Sequence, residues 1–230
     1  MPIAQDKYKH LLLEINGKAK LVAVSKTKTI EEINELYQAG QRDFGENYVQ
    51  ELLEKYHALP KDILWHFIGH LQTNKVKIVA PFVHLVHGVD SLKLLNAINK
   101  EGQKIGRVIP CLLQIHIASE ETKFGFNEPE LGELFEDEQH LQELQHIKIS
   151  GLMGMGSFTY DEDKVRDEFR RLKMLYDKYA LFNLPNCHFS ILSTGMSADY
   201  KVAIEEGSNM IRVGSLLFGE RINVTKDHAV

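Results

Sequence analysis

Eight short apolar runs, each followed by a stretch of helical period, constrain this chain more than any other feature. They occupy 21–26, 43–48, 65–69, 84–89, 110–117, 147–155, 188–193 and 210–215. Several are continuously apolar, as in PCLLQIHI (110–117), where strict alternation would mark a half-exposed strand. Continuous runs suit parallel strands covered on both faces. Between the runs, apolar residues recur every three or four positions. Ile30, Ile33, Leu36 and Tyr37 share one face, and Val165, Phe169, Leu172, Tyr176 and Tyr179 share another. These stripes read as packing faces. Strands alternating with helices over 230 residues predict a (β/α)8 TIM-type barrel, a fold that takes about 200–250 residues. The alternative, an open doubly wound sheet, would favour a GxGxxG after the first strand, and none is present. Residues 2–16 read as an extra helix before the first strand. Gly40 and Gly207 fall where a helix C-terminal glycine is expected, and Asp161 or Asp163 is placed to cap a helix over 164–181. With no linker, repeat or low-complexity tract, the chain reads as one domain, 1–230.

Hydrophobic content of 43% and charged content of 26% fit a soluble globular protein with a sizeable core. A net charge of −5 argues against nucleic acid and anionic membrane surfaces as partners. No apolar run approaches the roughly 20 residues of a membrane span, and the N-terminus lacks the features of a secretion signal. A cytoplasmic location is therefore expected. Cys111 and Cys187 lie in apolar strand contexts and read as buried, unreactive thiols. No HxxxH or HxH pair occurs with carboxylates in a metal pattern, and two cysteines without a paired spacing make no zinc site, so no metal is expected.

In a barrel, chemistry gathers at the C-terminal ends of the strands. The first run ends in Ser25-Lys26-Thr27-Lys28. A lysine at the inner end of a strand is partly desolvated. Desolvation favours the neutral amine, the form that attacks a carbonyl. Lys26 is thus a Schiff-base candidate, against the plainer reading of a lysine reaching solvent or a carboxylate. Lys28 shares its strand parity, but Lys26 is nearer the apolar run. Two late turns rich in small residues, Thr194-Gly195-Met196-Ser197 and Gly214-Ser215, occupy the loops where barrels hold phosphate. Either can equally be an ordinary turn or helix cap. Arg212 sits inside an apolar run, where a charge is costly unless paired. It is expected either to pair with a strand carboxylate such as Glu46 or to face a ligand ring nitrogen. Strand histidines, His66 among them, read first as core residues.

Six segments then fall into a recognisable order: AVSKTK (23–28), FGENYVQE (44–51), WHFIGHLQTNK (65–75), GLM (151–153), the long stretch 193–215, and LFGER (217–221). Over nearly the whole chain they resemble the pyridoxal phosphate homeostasis proteins. The resemblance implies a barrel like the N-terminal domain of alanine racemase. It implies pyridoxal 5'-phosphate (PLP) held as an internal aldimine on Lys26. The phosphate is implied at Gly195, Met196, Ser197, Gly214 and Ser215, with Arg212 near the pyridine nitrogen and Asn47 and His66 near the ring. Thr29 stands where the family usually has proline, and Ser215 where it usually has threonine. The family resembles a reservoir or carrier of the cofactor more than an enzyme, which implies no catalytic residue and PLP-dependent apoenzymes as partners. A monomer is the default. Alanine racemases pair their lysine with a tyrosine from a second domain and a partner subunit. This chain is expected to end where such a domain would begin, and nothing in the sequence marks Tyr48, Tyr160 or Tyr200 as that base. Two other readings stay open: a single-domain PLP-dependent racemase, and a phosphate-binding barrel using Lys26 as an aldolase would.

Overall fold

A computed structural model describes residues 3–118 and 124–219. Eight parallel strands close into a barrel in sequence order, with the first paired to the last. The strands are β1 (Lys20–Val24), β2 (Asp43–Glu46), β3 (Leu64–Phe67), β4 (Leu85–Val89), β5 (Ile109–Ile115), β6 (Ile147–Gly154), β7 (Cys187–Ser193) and β8 (Met210–Val213). Every run expected to be a strand is one, to within a few residues at its ends. The expected extra helix is α1 (Ile3–Ile15), which precedes β1.

The helices cover the outside of the barrel: α2 (Ile30–Gln38), α3 (Val49–Ala58), α4 (Val76–Val79), α5 (Leu92–Ile105), α6 (Glu128–Glu136), α7 (Glu138–Glu143), α8 (Glu162–Tyr179), α9 (Tyr200–Glu205) and α10 (Ser215–Phe218). Their apolar stripes meet the outward side chains of the strands. Phe44, Trp65, Leu94, Phe135, Phe169 and Leu172 belong to this layer, each at most 1% exposed. A separate cluster of Val22, Leu85, Leu112, Met153 and Met210 fills the barrel interior. Strands buried on both faces explain why the runs are continuously apolar. Cys111 and Cys187 are buried free thiols, and burial pushes the Cys187 thiol up to about 12. No helix among the described residues is long and apolar enough to cross a membrane.

Local signals hold as well. Asp161 caps α8 by accepting from the Lys164 N–H at 3.1 Å. Gly40 and Gly207 take left-handed φ values of 105° and 95° just past α2 and α9. Thr29 caps α2 in a reciprocal box with Glu32, its hydroxyl accepting from the Glu32 N–H (3.2 Å) and its own N–H donating to Glu32 Oε2 (2.8 Å). Proline at this position would have no N–H to give. Thr29→Ala is expected to cost about 1 kcal/mol in a urea titration. An unchanged midpoint would remove the cap from the account of this turn.

Candidate functional site

β1 stops at Val24, so Lys26 lies not on the strand but in a turn just beyond it, which corrects the strand-end placement. The Lys28 N–H donates to the Ser25 carbonyl at 3.0 Å and closes that turn. Thr27 takes the left-handed conformation, φ 65°. For a β-branched residue this costs on the order of 1–2 kcal/mol, so surrounding contacts must hold it. The Thr27 N–H donates to Glu51 Oε1 at 2.5 Å, and Ser25 Oγ donates to Glu46 Oε1 at 2.5 Å. Both carboxylates meet one ammonium: Lys55 Nζ lies 2.8 Å from Glu46 Oε1, 2.6 Å from Glu51 Oε1 and 2.7 Å from the Ser25 carbonyl. Lys55 is 4% exposed and Glu46 is fully buried. Burial pushes the Glu46 carboxyl above its ordinary range, against the pull of Lys55 and Ser25. Lys26 is therefore flanked on each side by a residue pinned to this buried cluster. Lys55 did not emerge from the sequence reading. Its signal was position: it lies one helical turn past the buried Leu52, on the apolar stripe of α3.

Lys28 shares no strand with Lys26, because both belong to the turn, and the parity argument falls. Its ammonium donates to the Phe218 carbonyl (3.2 Å), pairs with Glu32 (3.4 Å) and lies over the Phe218 ring.

The two late turns come together as expected. The Gly214 N–H donates to Ser197 Oγ at 3.3 Å. Gly195 is required by its backbone. At φ 95°, a Cβ there would stand 2.6 Å from Ala203 Cβ on α9. Gly214 packs on Val24, whose Cβ would be 3.3 Å from an added Cβ, which sets the last turn beside the start of the Lys26 turn. Asp199 Oδ1 accepts the Met196 N–H at 2.5 Å. The N–H groups of Ser197 and Ser215 meet no acceptor among the described residues, and Ser215 opens α10, where first-turn N–H groups lack intrahelical partners. Asn47 Oδ1, at the end of β2, and Thr194 Oγ1, at the end of β7, are buried without a hydrogen-bond partner among the described residues.

Arg212 does not pair with Glu46, whose partners are Ser25 and Lys55. Its guanidinium donates to the Ser193 carbonyl (2.9 Å), to Ser193 Oγ (2.8 Å) and to the Gly154 carbonyl (3.0 Å). Burial pushes it down to about 10, so it stays charged at neutral pH. The carboxylate that favours its charge is Asp199, in the turn between β7 and α9, and a file of polar groups runs from Arg212 across the barrel. Ser193 Oγ is 3.2 Å from His87 Nδ1, His87 Nε2 is 2.9 Å from His66 Nδ1, and His66 Nε2 is 2.9 Å from Asp43 Oδ1. With both rings neutral, every contact in this file has one donor and one acceptor, from the Arg212 cation to the Asp43 carboxylate. Burial depresses both imidazoles, which favours that neutral state. Both nitrogens of His66 are used inside the barrel, and it reaches Arg212 through His87 and Ser193. No local motif joins residues 43, 66, 87, 193 and 212, and only barrel closure brings them into line.

The tyrosines are elsewhere. The Tyr200 hydroxyl donates to Glu14 on α1, and that contact together with burial pushes it up to about 12. Tyr48 and Tyr160 stand in solvent. Ser119 and the Glu220-Arg221 end of LFGER lie outside the described residues.

Comparison with known proteins agrees with this arrangement. The sequence profile of the family described as "Alanine racemase, N-terminal domain" matches residues 5–222. The pyridoxal phosphate homeostasis protein of Aquifex aeolicus is 44% identical over 205 residues, 88% of this chain and 87% of that protein. The protein of the same name from Synechocystis is 36% identical over 220 residues, covering 94% and 97%. Among solved structures, PipY of Synechococcus elongatus with PLP bound is 31% identical, with a TM-score of 0.84 over 94% of this chain and all of that one. Alanine racemase from Streptomyces coelicolor shares the fold, with a TM-score of 0.77 at 14% identity, and this chain spans 58% of its length.

Proposed function

The chain belongs to the family of pyridoxal phosphate homeostasis proteins, and from that premise we propose that it is a cytoplasmic, single-domain carrier that holds PLP covalently through Lys26 Nζ. The observation that supports this most is the turn itself. A strained backbone is held by the buried Glu46–Lys55 pair and the partly exposed Glu51, and the residue it presents is a lysine at the barrel mouth. Backbone strain kept at such expense is typical of functional sites.

The residues present fit the cofactor. The Ser197 and Ser215 N–H groups and hydroxyls would take the phosphate, on a backbone that Gly195, Met196 and Gly214 shape. Asn47 Oδ1 is a buried acceptor with nothing yet to accept from. Arg212 would face the pyridine nitrogen, and a fixed cation there keeps that nitrogen an acceptor and weakens the ring as an electron sink. When bound, the cofactor supplies an aldehyde to a neutral amine. The protein's part is to present Lys26, to anchor the phosphate and to withhold a second base.

That last point favours a carrier over a racemase. Racemisation needs a proton acceptor and donor on opposite faces, and the Tyr200 hydroxyl is given to Glu14. Release to PLP-dependent apoenzymes, by a monomer, follows from the same reading. Hydrogen exchange at the α-carbon of a panel of L-amino acids in deuterated water tests it. The expected rate is no faster than with free PLP. A rate well above that for any amino acid would replace the carrier with the racemase.

A further inference from the structure

At the end of the barrel opposite Lys26, a second constellation forms from three strands. Asp43 is the first residue of β2, His66 points inward from β3, and His84 immediately precedes β4. One ligand atom from each lies within 4.8 Å of the other two. We propose that Asp43, His66 and His84 form a binding site for a divalent transition-metal ion of the zinc type, separate from the cofactor site.

Two nitrogens and a carboxylate oxygen are the donor set of three-ligand zinc sites, which keep a fourth position open. With bonds of about 2.1 Å, tetrahedral ligand atoms stand about 3.4 Å apart. His66 and Asp43 are already closer than this, at 2.9 Å, and would open slightly around an ion. His84 is half-buried at the rim, its ring centroid 5.3 Å from that of His66. His66 is fully buried, and its other nitrogen is held by His87 at 2.9 Å, the outer partner that fixes a ligating imidazole. Access is built in. His84 and Lys20 line a cavity of about 470 Å³ that opens at this end, with Lys18 and Lys148 beside them. Lys20, whose side chain is 49% exposed, pairs with Asp43 at 3.4 Å and would turn out to solvent. Three lysines oppose a dication, so affinity would come from the directional ligands and not from net charge. They also favour an anionic fourth ligand.

Coordination at His66 Nε2 requires the proton on Nδ1. His66 then donates to His87 Nε2, and His87 Nδ1 donates to Ser193. Each ring keeps one proton; both tautomers change, and the Ser193 hydroxyl, formerly the donor to His87, turns its proton away to accept from it. The sequence conceals the site because its ligands are 23 and 18 residues apart and meet only in the closed barrel.

Cobalt(II) titration of the untagged, EDTA-treated protein is the test, read as a difference spectrum. One equivalent is expected to saturate an intense tetrahedral d–d band, which zinc then displaces. His84→Ala, at the half-exposed rim, and Asp43→Asn are each expected to lose the band. His70→Ala, a surface histidine paired with Asp90 at the other end, is expected to keep it. Absence of a band in the wild type, or its persistence in folded His84→Ala, would overturn the proposal. Neither outcome depends on PLP binding.

Discussion

Replacing Lys55 by methionine is expected to destabilise the protein by about 3–5 kcal/mol, the usual cost of leaving a buried charge without its partner. The fully buried Glu46 would lose the Lys55 cation, Glu51 would lose the same partner, and the Ser25 carbonyl would lose a donor. The effect carries a sign with pH. The Glu46 carboxyl is already raised above its ordinary value of 4.5, so the folded state holds its proton more tightly than the unfolded state does. Stability therefore falls as pH rises from that ordinary value through the folded one. Removing Lys55 lifts the folded value further and extends the window upward. Lys55→Met should thus be more damaging at pH 8 than at pH 5. Glu46→Gln in the same background should recover part of the loss, a coupling that a double-mutant cycle reads directly. Urea midpoints for the four proteins at both pH values are the measurement. A variant within about 1 kcal/mol of wild type at pH 8 would show that this cluster does not hold the turn.

Lys26→Ala is expected to abolish the visible absorption of bound PLP entirely, while Lys28→Ala keeps it. The structure separates two lysines that the sequence offers as equals. Lys28 spends its ammonium on Glu32, on the Phe218 carbonyl and on the Phe218 ring. Losing it should cost little beyond those partly exposed contacts. Lys26 stands between Ser25, tied to the buried Glu46, and Thr27, tied to the partly exposed Glu51, so the backbone that presents it is fixed. Pre-fixing a nucleophile lowers the entropic cost of forming its bond. Equal loss of absorption in the two variants would mean that the turn does not discriminate between them.

Much of this was legible in the residues. The barrel was readable because eight parallel strands buried on both faces leave continuous apolar runs, and those runs fell where the strands are. Gly195 and Gly214 were readable as turn glycines after the late strands, and the two turns do meet, the Gly214 N–H donating to Ser197 Oγ. Lys55 was hidden because a helix position looks alike whether its ammonium reaches water or a buried carboxylate. The partners of Arg212 were hidden for another reason. The sequence calls for a counter-charge but cannot say that Asp199 supplies it, nor that Arg212 joins a file through Ser193, His87 and His66 to Asp43. The partners of His66 were hidden likewise, since strand position gives its face but not its depth along the barrel axis. Thr29, which looked like a departure from the family, proved to be a helix cap.

The most direct test of the covalent carrier is borohydride reduction of the PLP-loaded protein, followed by proteolysis and mass analysis of the peptides. The expected result is one added pyridoxyl phosphate per chain, on the peptide that contains Lys26 and at that residue. Its appearance on Lys28 or any other lysine, or no stable addition at all, would contradict the assignment.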